Sequence, residues 1–197
     1  MSHSFQAMLK GMQRARLAGS NLRGDREKDD FYATPPSATK ALLQVESFDG
    51  AIWEPACGDG AISKVLESAG HQVVSTDLVD RGYGTARIDF LMETRALAPK
   101  IITNPPFKLG TDFVLRALAL TTGKIAMLLK VGFLEGLDRA RVYDEQPFAR
   151  LWVFRARQTF LRGGSEAIQM NGDGGMIAYG WFVWDRTHAG PPTLGWI

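Results

Sequence analysis

From Ala51 onward, short apolar runs alternate with stretches of helical period, and this alternation constrains the fold more than any other feature. Ala51–Glu54, Gln72–Thr76, Ile101–Thr103, Lys124–Leu129, Ala149–Phe154 and Ala178–Trp184 read as strands. Between them, Ala61–Ala69 groups Ile62, Val65 and Leu66 on one helical face and stops at Gly70. Asp112–Leu120 groups Phe113, Val114, Ala117 and Leu118 in the same way. Helices inserted between short apolar strands connect parallel neighbours and cover both faces of the sheet they form. Upstream, Phe31–Pro36 reads as extended, because residues before proline avoid the α region. Ser37 reads as the N-cap of a helix through about Val45. A chain of 197 residues suits one such α/β domain.

The composition excludes several classes. A single cysteine, Cys57, permits no internal disulfide. With only His3, His71 and His188 beside it, a structural Cys/His zinc site is also excluded. No apolar run reaches a membrane span, and the N-terminus lacks the apolar core of a secretion signal. The expectation is a soluble cytoplasmic protein without metal or membrane partner. The net charge of +2 names no partner, so its distribution matters more. Residues 1–29 read as a flexible basic arm ahead of a domain over 30–197. The arm is either a disordered tail or a nucleic-acid tether through Arg14, Arg16 and Arg23. A second basic stretch carries Arg139, Arg141, Arg150, Arg155, Arg157 and Arg162, interleaved with Trp152, Phe154 and Phe160. Trp152 and Phe154 alternate on a strand, which places them in a core. Arg162, in the glycine-rich loop Thr159–Met176, is the better phosphate contact, and Phe133 is placed at the border of a target pocket.

Glu54-Pro55-Ala56-Cys57-Gly58-Asp59-Gly60 joins the first strand to the helix after it. Gly58 and Gly60 permit a tight turn and close approach of a ligand to the main chain. In an open parallel sheet such a turn lies at the carboxyl ends of the strands, where ligands bind. Ser63 stands where a dinucleotide fingerprint has its third glycine, and a plain tight turn would look the same. Asp77 ends the next strand, 23 residues after Glu54, where a carboxylate can accept both hydroxyls of a ribose. Asp89 with Phe90 ends a short element after Tyr83–Ile88. That pair suits an adenine amino group and ring. Either acid alone would equally fit a solvated loop or a helix cap.

Ile101–Thr103 runs into Asn104-Pro105-Pro106-Phe107. Two prolines make a rigid strand end without N–H donors. The Asn104 side-chain oxygen and the Pro105 carbonyl can both accept hydrogens from one amino group, and Phe107 can stack on the base that carries it. A rigid turn with a buried phenylalanine is the alternative.

This ordered set resembles the amino-methyltransferases that use S-adenosylmethionine, in particular small phage or bacterial DNA adenine-N6 methyltransferases, over roughly residues 30–131. The resemblance implies a Rossmann-like class I methyltransferase fold, with a seven-stranded mostly parallel sheet and helices on both faces. It implies that Ala56, Cys57, Gly58 and Gly60 pass close to the methionine part of the cofactor. Glu54 would hold its amino group, Thr34 its carboxylate, and the Tyr32–Pro36 segment would close over it. Asp77 would bind the ribose, and Asp89 and Phe90 the adenine. Asn104, Pro105, Pro106 and Phe107 would form the target pocket, with Asn104 also bordering the cofactor. One departure stands out. Only about 65 residues follow Val131, so no separate target-recognition domain is expected, and a short recognition context follows.

A sulfonium methyl needs little activation, because its leaving group departs neutral. The difficulty lies with an amine whose lone pair is delocalised into the base. Two acceptors aimed at its hydrogens favour a pyramidal nitrogen and stabilise its developing charge. A duplex substrate must present its base flipped out. DNA is the preferred substrate and RNA the nearest alternative. A protein glutamine comes next, although the fourth motif residue there is usually Tyr. A catalytically idle nucleic-acid-binding module is the alternative from another class.

Overall fold

The six strands expected from the sequence all form, and three further ones join them. The structure is a computed structural model and describes residues 32–156, 158, 161–162 and 177–197. Arg14, Arg16, Arg23, Phe31, Arg157 and most of the glycine-rich loop lie outside the described residues. The elements are β1 (Tyr32–Ala33), α1 (Pro36–Val45), β2 (Ile52–Glu54), α2 (Ala61–Ser68), β3 (Val73–Ser75), β4 (Lys100–Thr103), α3 (Gly110–Leu120), β5 (Ile125–Lys130), α4 (Ala140–Tyr143), β6 (Phe148–Val153), β7 (Leu161–Arg162), β8 (Tyr179–Trp184) and β9 (Thr193–Trp196).

Seven strands build one sheet in the order β3-β2-β4-β5-β8-β6-β9. The first four are parallel, β8 runs antiparallel between β5 and β6, and β9 is parallel to β6. The sheet is therefore mostly parallel and seven-stranded, as expected. Its last edge, β9, was not expected. Thr193–Trp196 is short and follows two prolines, and it fits because Gly195 leaves room for the Trp152 ring. A Cβ on Gly195 would lie 2.2 Å from that ring. A separate two-stranded antiparallel ladder pairs β1 with β7, Tyr32 opposite Arg162.

The sheet is buried on both faces. On one, Leu42 of α1 and Ile62 and Leu66 of α2 pack on Ile52, Ile102, Ala126, Leu128, Trp181 and Val183. On the other, Trp53 meets Phe90 and Phe90 meets Phe113 of α3. Further along the same layer, Phe182 contacts Phe133, Phe148 and Trp184. This two-sided burial explains why β5 is an unbroken apolar run rather than an alternating one.

Two local expectations are corrected. Helix α1 starts at Pro36 with Pro35 at the cap position and no side-chain cap, so Ser37 lies inside the first turn. Proline at the first helical position loses no hydrogen bond and has its φ already set. Tyr83–Ile88 forms no element. It is a loop pinned to the sheet by one bridge, Thr76 to Thr85, with Gly82 and Gly84 at positive φ.

Candidate active site

Strands β3, β2, β4 and β5 are parallel, so their carboxyl ends share one edge. The chain leaves β2 toward β3 on one side and returns to β4 on the other, and the crevice opens at such a reversal of strand order. Glu54, Asp77, Asn104 and Lys130 end or follow these four strands.

The glycine turn is held from both sides. Cys57 N–H donates to the Thr76 carbonyl at 3.0 Å, and Gly58 N–H donates to Asp77 Oδ2 at 2.8 Å. Glu54 Oε2 accepts from Ser63 N–H at 2.8 Å and from the Ser63 hydroxyl, which ties the first turn of α2 to the end of β2. Burial pushes the Glu54 carboxyl well above the usual range against the opposing Ser63 hydrogen bonds, and the nearby Asp77 and Asp59 add to the rise. Burial also pushes the Cys57 thiol up to about 12, with Glu54 and Asp77 adding to it, so it is not a thiolate nucleophile. Gly60 sits at φ +82, and a Cβ there would lie 2.5 Å from the Tyr83 ring. The room this glycine leaves is filled by Tyr83, whose hydroxyl donates to Glu67 at 2.9 Å.

Asp77 Oδ1 accepts from Val79 N–H at 2.8 Å. Its main-chain groups pair with the loop, Asp77 N–H to Thr85 O and Ile88 N–H to Asp77 O, both at 3.0 Å. These bonds carry Asp89 to the same edge as Asp77. Asp89 Oδ1 accepts from Leu91 N–H at 3.0 Å and caps the short helical turn Phe90–Met92. Phe90 corrects the expectation for its ring. It is 2% exposed and packed between Trp53 and Phe113, so the ring belongs to the core rather than to a ligand face.

At the end of β4, Asn104 Nδ2 donates to Thr34 Oγ1 at 3.0 Å and to the Tyr32 carbonyl at 3.4 Å. The Tyr32 carbonyl can only accept, which fixes the amide nitrogen on that side. Asn104 Oδ1 then faces the other way, buried and without a hydrogen-bond partner. A buried acceptor left unpaired is costly unless something supplies a donor. Thr34 is 4% exposed with its hydroxyl on Asn104, and Pro105 is buried. Phe107 lies 6.0 Å from the Tyr32 ring and 5.5 Å from the Tyr179 ring, and Lys130 Nζ stands 4.8 Å over it.

Glu54, the Ala56–Gly60 turn, Asp77, Asp89, Asn104–Phe107 and, through Asn104, Tyr32 and Thr34 thus lie along one edge, Phe90 turns into the core, and the basic stretch fares differently. Arg150 is ion-paired with Glu46 and Asp185. Arg139 donates to the carbonyls of Gly132, Phe133 and Glu135 and covers the Phe133 ring. Phe133 is 8% exposed against Phe182 and Tyr143, so it is a wall of the core rather than a free aromatic. Trp152 is half-buried and donates to Glu46. For Arg162 only the backbone, in β7, is described. Lys130 and Tyr179 were missed. Lys130 closes the apolar run of β5 and Tyr179 opens that of β8, and the only available signal was a residue with a polar group at one end of each run.

Among the described residues no cluster of His, Cys, Asp and Glu could hold a metal, and no helix is long and apolar enough to cross a membrane. No protein-family profile matches the sequence, and no curated protein matches it either. Solved structures do. A candidate RNA methyltransferase from Pyrococcus horikoshii superposes with a TM-score of 0.60 at 15% identity, over 89% of this chain and 98% of that one. A candidate class I S-adenosylmethionine-dependent methyltransferase from Listeria monocytogenes gives 0.60 at 14% identity, over 98% of this chain and 73% of that one. The modification subunit of a candidate type I restriction enzyme from Vibrio vulnificus gives 0.52 at 15% identity, over 99% of this chain and 51% of that one. At such identity the likeness speaks for the fold, and the fold is that of the class I Rossmann-like methyltransferases.

Proposed function

We propose that the chain is an S-adenosylmethionine-dependent methyltransferase acting on the N6 amino group of adenine in DNA. The observation that carries this reading is Asn104 Oδ1, a buried acceptor without a donor, fixed in direction by Tyr32 and Thr34, with Phe107 three residues further along the chain. An exocyclic amine on a flat base supplies what that place lacks, a hydrogen to donate and a face to stack.

The residues present fit the cofactor's chemistry. Asp77 and Asp89 would hold the ribose hydroxyls and the adenine amino group. Each Asp77 oxygen can accept a further hydrogen beyond the N–H it already accepts. Glu54 and the Ala56–Gly60 turn would border the methionine part. When bound, the cofactor supplies a methyl group on a sulfonium. Asn104 Oδ1 accepts a hydrogen of the target amine, with the Pro105 carbonyl as the second acceptor, and so favours a pyramidal nitrogen with an available lone pair. Tyr32 and Thr34 hold the Asn104 amide so that no reorganisation is needed at that moment. Phe107 orients the base, and a duplex must release it from the stack first. No side-chain base is required, since the proton can pass to water afterwards.

Asn104→Ala tests the reading. Turnover on saturating DNA should fall by at least about a hundredfold, the scale of losing one preorganised polar group. Cofactor affinity by calorimetry should stay within a few-fold. Near-normal turnover in the folded variant would refute the proposed role.

A further inference from the structure

Lys130 has no place in the chemistry above, yet it stands over the Phe107 ring. It ends β5 at the carboxyl edge and is paired in register with Tyr179 of β8, so the two side chains share a face of the sheet. Both meet Phe107: the Tyr179 ring at 5.5 Å, and the Lys130 ammonium at 4.8 Å from the ring centroid. Among the described residues no carboxylate pairs with Lys130, whereas Lys124 on the same strand's other end is held by Glu46 and Asp185. A half-buried ammonium on a flexible stem, resting on an aromatic face without an anion, is a weakly held cation.

Three groups therefore gather at the end of β4: Asn104 Oδ1, an acceptor without a donor; the Phe107 ring; and, over that ring, the Lys130 cation, without an anion among the described residues. A nucleotide within a polymer meets all three, through its amine, its base and its phosphate. A glutamine side chain meets only the first. We infer that Lys130 leaves the Phe107 face when the target base enters and takes the phosphate of that nucleotide. This rests on the reading of the pocket given above and adds the contact by which it selects a nucleotide.

The test uses the full chain and a fluorescent, adenine-containing single-stranded DNA oligonucleotide, with binding followed by anisotropy from low to moderate salt. Lys130→Gln should weaken binding roughly tenfold at low salt, as expected for one lost charge-assisted hydrogen bond. The slope of log affinity against log salt should fall by about 0.7, the value for one phosphate contact on a single strand. Lys130→Arg should restore both, since it keeps the charge. Wild-type slope and affinity in Lys130→Gln, or failure of Lys130→Arg to restore them, would overturn the inference. In either case, adenine methylation by the wild-type chain would leave the function proposed above standing. A wild-type chain that methylates no adenine would remove both.

Discussion

Asp77 serves the fold through both of its carboxylate oxygens. Its two oxygens accept from Gly58 N–H and Val79 N–H, both at 2.8 Å, which sets the glycine turn against the loop after β3. In the proposed function it also takes the ribose hydroxyls. Asp77→Asn separates the two roles. The amide keeps one acceptor, so the fold should lose about 1 kcal/mol, while charge-assisted hydrogen bonds to the ribose are weakened. S-adenosylmethionine affinity should drop about ten- to a hundredfold, read by calorimetry on a variant shown folded by circular dichroism. Unchanged affinity would contradict the assignment. Phe90 teaches the reverse lesson at this scale. An aromatic beside an acid reads in sequence as a ligand-facing pair. Whether its ring turns to the ligand or to the core was decided by Trp53 and Phe113, 37 residues before and 23 residues after it.

At the scale of elements, four charges tie together pieces that are distant along the chain. Glu46 follows α1, Lys124 precedes β5, Arg150 lies in β6 and Asp185 follows β8. Lys124 Nζ reaches Glu46 Oε2 at 2.8 Å, and Arg150 Nη2 reaches Asp185 Oδ2 at 2.8 Å and Glu46 Oε2 at 3.1 Å. Burial alone would raise the Asp185 carboxyl. The hydrogen bonds from Thr187 and Arg150, with the charge of Lys124, outweigh it and hold it at about 2 against an ordinary 3.8. Glu46 is also buried, and hydrogen bonds from Arg150, Lys124 and Trp152 lower it in the same way. A folded-state value below the unfolded one adds stability that is present above the unfolded value and lost as pH falls through the folded one. Urea unfolding should therefore show Asp185 contributing about 2 kcal/mol above pH 4, lost on descent toward pH 2. Asp185→Asn should be less stable at pH 7 and show a shallower acid limb. An acid limb as steep as wild type would contradict this account. None of this was legible in the sequence, where Arg150 read as one of six arginines in a basic stretch.

At the scale of the whole molecule, what could be read in advance was what local pattern encodes. The period of α2 and α3, the apolar run of β5 and the order of motifs from Glu54 to Phe107 gave the sheet and the edge on which the proposed site lies. What could not be read depended on which distant strands become neighbours. Nothing near Tyr179 says that β8 inserts beside β5 and sets it opposite Lys130, and nothing near Gly195 announces a seventh strand packed on Trp152. The central claim concerns chemistry at that edge. The most direct measurement offers the purified chain labelled S-adenosylmethionine with duplex DNA, single-stranded DNA, RNA and protein in parallel, and identifies the product by nucleoside mass spectrometry. The account predicts label in DNA, recovered as N6-methyldeoxyadenosine. Label recovered only in protein, or on a base atom other than an exocyclic amine, would contradict it.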